Sequence, residues 1–66
     1  MPYEEYTVEL YDDALGNKWT RQCVVGSYEE CESYIKENPV EEPYYYSIWC
    51  IEYDENENET AYYPMY

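Results

Sequence analysis

Between Tyr3 and Tyr11 the chain alternates, with Tyr6, Val8 and Leu10 on one side and Glu5, Thr7 and Glu9 on the other. That period of two belongs to a half-buried β-strand. The next stretch, Asp12-Asp13-Ala14-Leu15-Gly16-Asn17-Lys18, is made of turn residues, and Trp19 to Val25 is rich in β-branched and aromatic types, so the two runs predict a β-hairpin. Gly26 breaks the second strand. Ser27-Tyr28-Glu29-Glu30 then reads as a capping box, in which the Ser27 hydroxyl and the Glu30 carboxylate each accept from the other residue's backbone N–H and start a helix. Tyr28, Cys31 and Ile35, with Tyr34 beside them, form its apolar stripe, and Pro39 stops it near Glu37 or Asn38.

After the loop Val40-Glu41-Glu42-Pro43, the run Tyr44 to Tyr53 is the most apolar part of the chain and predicts a central strand. Its two faces are both apolar: Tyr46, Ile48 and Cys50 point one way, Tyr45, Trp49, Ile51 and Tyr53 the other. Asp54 to Glu59 carries no apolar period and reads as an exposed loop, and Thr60 to Tyr66 as a returning strand confined to an edge by Pro64. The expected fold is α+β: a small antiparallel sheet of three to four strands with one helix packed on one face, in the order β-β-α-β-β. A chain of 66 residues has room for one domain (1–66) with a small core.

Composition narrows the function. Histidine is absent, which removes the commonest general-base and nucleophile-activating mechanisms, and a carboxylate pair for glycoside hydrolysis would need a cleft that so short a chain seldom builds. No enzyme activity and no cofactor are expected. Asp54, Asn56 and Asn58 match the first three ligand positions of a calcium loop, but Glu59 and Met65 stand where the loop needs its Gly and its bidentate Glu. A solvated loop is the better reading, and no metal site is expected. Cys23, Cys31 and Cys50 are odd in number and lack metal spacing, so they read as small buried hydrophobes in a reducing compartment, with one disulfide plus a free thiol as the competing reading. The N-terminus has no basic-then-apolar leader and no run suits a membrane span, so a cytoplasmic location is expected. Asn58-Glu59-Thr60 fits a glycosylation acceptor, which matters only in a secreted protein.

Charge points to a partner. Sixteen acidic residues against Lys18, Arg21 and Lys36 give a net charge of -13, which disfavours nucleic acid and anionic membranes and favours a basic protein. Twelve Tyr and two Trp supply the apolar area that an acidic disordered chain lacks. Tyr6, Tyr28, Tyr34 and Tyr46 are expected as core filler. Tyr11, Tyr45, Trp49 and Tyr53 are expected on the sheet face away from the helix, as an apolar patch rimmed with carboxylates.

Carboxylates at alternate strand positions, as in Glu5-Thr7-Glu9, stand roughly 6.6 Å apart, and those three or four apart on a helix roughly 5–6 Å. Rows on that scale imitate a phosphate backbone. The candidate partner-binding residues are Glu29, Glu30, Glu32 and Glu37 on the helix, Glu41 and Glu42 before the third strand, Glu52, Asp54, Glu55, Glu57 and Glu59 at and beyond its end, and Tyr45, Trp49 and Tyr53 of the aromatic face.

Small size, extreme acidity, no histidine and exposed aromatics together resemble the DNA-mimic inhibitors that phages encode against bacterial restriction and CRISPR systems. The resemblance is one of type, without an aligned motif, and gives no residue a role. It implies a stoichiometric inhibitor, anti-CRISPR ahead of anti-restriction, acting in the bacterial host cytoplasm on the nucleic-acid groove of a CRISPR effector or restriction enzyme. The alternative is a regulatory or antitoxin-like interaction module that binds through the aromatic face. A homodimer through that face is compatible with either.

Overall fold

The computed structural model describes residues 2–65; Met1, and Tyr66, expected at the end of the last strand, lie outside them. In chain order the elements are β1 (Tyr3–Asp12), a 3-10 turn (Asp13–Leu15), β2 (Lys18–Gly26), α1 (Tyr28–Glu37), β3 (Tyr44–Tyr53) and β4 (Glu59–Pro64). The class is the expected one, an antiparallel sheet with a single helix. Its spatial order, β2-β1-β3-β4, makes the two ten-residue strands β1 and β3 the central pair and leaves β2 and β4 at the edges. Pro64 accordingly sits on an edge strand, where no ladder hydrogen bond is lost to its missing N–H.

β1 and β3 pair without interruption from Tyr3↔Tyr53 to Asp12↔Tyr44. The β1–β2 ladder shifts register between Val8 and Glu9 and again between Leu10 and Tyr11. The hairpin closes on a left-handed residue: Gly16 at φ 77° returns its N–H to the Asp13 carbonyl, a conformation that glycine adopts without a Cβ penalty. The Asp12 carboxylate caps the 3-10 turn by accepting from the N–H of Ala14 at 3.0 Å.

The capping box forms as the spacing requires, Glu30 N–H donating to Ser27 Oγ at 3.1 Å and Ser27 N–H to Glu30 Oε1 at 3.2 Å. Glu29 and Glu30 in the first turn and Lys36 in the last also complement the helix dipole. The helix lies chiefly over β1 and β2, and Cys31 on its inner stripe meets Val8 and Ile48; all three are fully buried. Tyr6, Tyr28, Tyr34 and Tyr46 surround this centre, half-buried, in two edge-to-face pairs: Tyr6 with Tyr28 and Tyr34 with Tyr46. The Tyr46 hydroxyl donates to the Asn38 carbonyl at 2.6 Å, so the ring fills space while its polar end caps the helix terminus.

The three cysteines are free thiols. Cys31 and Cys50 are buried and their pKa values are pushed up, in both cases chiefly by desolvation, whereas Cys23 is only half-buried. Among the described residues no helix is long and apolar enough to cross a membrane.

Candidate interaction surface

Strand pairing sorts the charges along the molecule. The three cations sit toward one end: Lys18 opposite Asp12, Arg21 opposite Leu10, and Lys36 in the last turn of a helix whose C-terminus rests on Tyr46. The other end holds the first residues of β1, the last of β3, the β3–β4 turn and the helix N-terminus. Those segments place Glu4, Glu5, Glu29, Glu30, Glu52, Asp54, Glu55, Glu57 and Glu59 together with no Lys or Arg among them. A strand of ten residues is roughly 30 Å long, several times the screening length of roughly 8 Å at physiological salt, so Lys18 does not neutralise the β3–β4 turn; the helix is shorter, and Lys36 lines one surface groove with Glu29 and Glu32.

Five of the eleven acidic candidates, Glu52, Asp54, Glu55, Glu57 and Glu59, therefore lie at the cation-free end with Tyr53, and Glu29 and Glu30 stand beside it at the helix N-terminus. Glu37, Glu41 and Glu42 lie at the opposite end with Tyr45, while Glu32 and Trp49 lie between. Glu4 and Glu5, outside the candidate set, join the acidic end through the registers Glu4↔Glu52 and Glu5↔Ile51.

The calcium-like spacing in the β3–β4 turn has a structural explanation. Asp54 Oδ1 accepts from the N–H of Asn56 at 2.8 Å and of Asn58 at 3.0 Å, and these backbone bonds hold its carboxyl below the usual range. Its N–H in turn donates to the Asn58 carbonyl at 3.0 Å. The carboxylate is thus a turn cap, with Glu57 at φ 62° at the apex.

The face away from the helix departs from expectation. Alternation makes Thr7 and Glu9 solvated positions, yet Thr7 is fully buried and Glu9 only 4% exposed. Rings from both edge strands cover them. Trp19 of β2 donates Nε1–H to Glu9 Oε1 at 2.8 Å, and Tyr62 of β4 donates its hydroxyl to Glu9 Oε2 at 2.7 Å, with Thr7 Oγ1 at 3.3 Å from the same oxygen. Glu9 is thus a buried carboxylate satisfied by three neutral donors, and it belongs to no exposed acidic row.

Burial and the Glu9 hydrogen bond push the Tyr62 phenol far up. Of the four aromatics expected to lie open, only Tyr45 is exposed; Tyr11, Trp49 and Tyr53 are half-buried in ring pairs. Tyr11 stacks on Tyr45 at 5.4 Å, Tyr3 on Tyr53 at 4.8 Å, and Trp49 meets Tyr62 edge-on at 4.9 Å. Tyr3, Trp19 and Tyr62 are the exposed rings of this face that the alternation of β3 could not show, because they come from other strands.

Trp49 carries an unpaid polar group. Its Nε1–H is buried without a hydrogen-bond partner among the described residues, although the Tyr11 hydroxyl is close enough for the indole to oppose the rise in its pKa. An orphaned donor costs about 1–3 kcal/mol, so Trp49→Phe, which removes the donor and keeps most of the ring, is expected to change urea-unfolding stability by less than about 1 kcal/mol in either direction. A loss near that for deleting a buried aromatic, about 3 kcal/mol or more, would show that the indole N–H is satisfied.

On the helix side, beyond the helix, Glu4, Cys50 and Glu52 bring ligand-type atoms within 4.8 Å of one another. The Cys50 thiol donates to Glu4 Oε2 at 3.3 Å, and the Tyr63 hydroxyl donates to Glu52 Oε2 at 2.7 Å. The group is a hydrogen-bonded network that ties β4 to the central pair.

No protein-family model, curated protein or solved structure matches the chain.

Proposed function

We propose that this chain is a stoichiometric, non-enzymatic inhibitor, phage-derived and of the anti-CRISPR type, that occupies the nucleic-acid groove of a basic bacterial defence enzyme with its acidic end. The observation that carries the reading is the segregation of seven carboxylates, Glu4, Glu5, Glu52, Asp54, Glu55, Glu57 and Glu59, from all three cations along the strand direction. A groove lined with Lys and Arg meets at that end the same acceptors that a polynucleotide offers. Charge-assisted hydrogen bonds form, the groove's counterions are released, and the long-range field steers association. Competition for the groove requires no bond-making, which suits a chain without histidine.

The exposure of Tyr3, Trp19, Tyr45 and Tyr62 on one sheet face favours a second reading, a regulatory or antitoxin-like module that docks by aromatic contact and is acidic for solubility. The two separate in one experiment: capture of partners from a bacterial lysate at about 50 and about 200 mM salt, a range over which groove binding of the electrostatic kind weakens by orders of magnitude. Inhibition by the acidic end predicts a nucleic-acid-processing enzyme that is lost at high salt, and lost also when Glu55, Glu57 and Glu59 are changed to Gln. The aromatic module predicts retention in both cases and loss on truncating an exposed ring, as in Tyr45→Ala.

A further inference from the structure

The acidic end and the aromatic face meet at one place. Tyr3, Tyr53 and Glu59 are cross-strand neighbours in a single row of β1, β3 and β4, so their side chains share the sheet face turned from the helix. Glu5, two residues along β1 from Tyr3, lies on that face as well. The Tyr3 and Tyr53 rings stack at 4.8 Å with 17° between their planes. β2 ends at Gly26, opposite Tyr6, so no strand flanks Tyr3 on its far side and 41% of the residue is exposed. The Tyr3 phenol is held above its ordinary range by desolvation and then by the carboxylates of Glu57 and Glu5, and the Tyr53 phenol by desolvation and then Glu5, with Glu59 contributing. A stacked, partly open ring pair ringed by three carboxylates, at an end of the molecule without Lys or Arg, lacks only a cation.

We propose that the Tyr3–Tyr53 stack is an arginine-binding site, in which a guanidinium of the basic partner lies flat on the outer face of Tyr3 while Glu5 and Glu57 accept its N–H donors and Glu59, on the far side of Tyr53, adds only its charge. Arginine fits this geometry better than lysine, because the guanidinium is planar, weakly hydrated and forked, whereas the ammonium is a compact, strongly hydrated point charge. This site rests on the reading of the acidic end as a groove-binding surface and adds to it a chemical preference that charge alone does not supply.

The test is calorimetric titration of the full chain with hexa-arginine and with hexa-lysine, peptides of equal charge. The arginine peptide is expected to bind about two- to fivefold more tightly, the range of one exposed cation–π contact. Tyr3→Leu is expected to abolish the preference while leaving the hexa-lysine affinity unchanged, and Tyr3→Phe, which keeps the ring and guards against misfolding as the cause, to preserve it. Glu57→Gln with Glu59→Gln is expected to weaken both peptides. Equal affinities, or a preference that survives Tyr3→Leu, would overturn the arginine site and leave the acidic surface standing as a charge-only surface. Failure of both peptides to bind at low salt would overturn the site and the acidic-end reading together.

Discussion

Ile48→Ala is expected to remove about half or more of the folding free energy of this domain. Ile48 is fully buried at the meeting of β1, β3 and α1, paired with Val8 across the central ladder and packed with Cys31 from the helix. Truncating such a residue costs about 2–5 kcal/mol, from lost transfer energy and the cavity left behind. At about 0.05–0.15 kcal/mol per residue, the whole domain is worth about 3–10 kcal/mol. The residues with no exposure at all are few and mostly small, so nothing nearby collapses easily into the gap. In urea unfolding followed by circular dichroism, the variant's midpoint is expected to fall by half or more, while Val25→Ala, at an edge-strand position 42% exposed, is expected to change little. A loss below about 1 kcal/mol at Ile48 would mean that the helix does not seat on the sheet as described.

The second large effect is alkaline unfolding. Seven tyrosines, Tyr3, Tyr6, Tyr11, Tyr46, Tyr53, Tyr62 and Tyr63, have phenols held above their ordinary range. Tyr63 is raised chiefly by its hydrogen-bond partners Cys50 and Glu52; for the others desolvation leads, and at Tyr62 the Glu9 bond adds to it. The sign follows from linkage. A phenol whose folded pKa exceeds its unfolded value of about 10 contributes stability that is fully present below about pH 10 and is lost as pH rises through the folded value. Ionising Tyr62 or Tyr63 would also set a phenolate against the carboxylate to which it now donates. The protein is therefore expected to unfold cooperatively above about pH 10, with tyrosinate absorbance rising together with the loss of the circular dichroism signal. Uniform titration of the tyrosines near pH 10 with the fold intact would show that these hydroxyls are free in water.

Much of this architecture is written in local pattern. Alternation from Tyr3 marks a strand, the apolar run from Tyr44 marks a central one, Ser27 and Glu30 mark the helix start, and Pro64 marks an edge, because each signal acts over a few residues. What lies on the second sheet face is not local. Glu9 has the alternation of a solvated carboxylate, and its burial follows from Trp19 and Tyr62 reaching inward from the two edge strands. That depends on the order β2-β1-β3-β4, which chain order alone does not supply. The same holds for the acidic candidates. In the sequence they gather in the second half, but folding sends Glu41 and Glu42 to the end that holds the cations and brings Glu4 and Glu5 from the N-terminus to join Glu52 and the β3–β4 turn. Aromatic content signalled a face; only the register joined Tyr3 to Tyr53.

The central claim, that the acidic end stands in for a polynucleotide, is tested most directly by competition. With the captured enzyme bound to the chain at low salt, a single-stranded or duplex oligonucleotide of its preferred kind is titrated in and the fraction of chain remaining bound is measured. The account predicts displacement, with the apparent affinity of the chain falling in proportion to oligonucleotide occupancy. A ternary complex in which enzyme, oligonucleotide and chain coexist, with the chain's affinity unchanged, would contradict it.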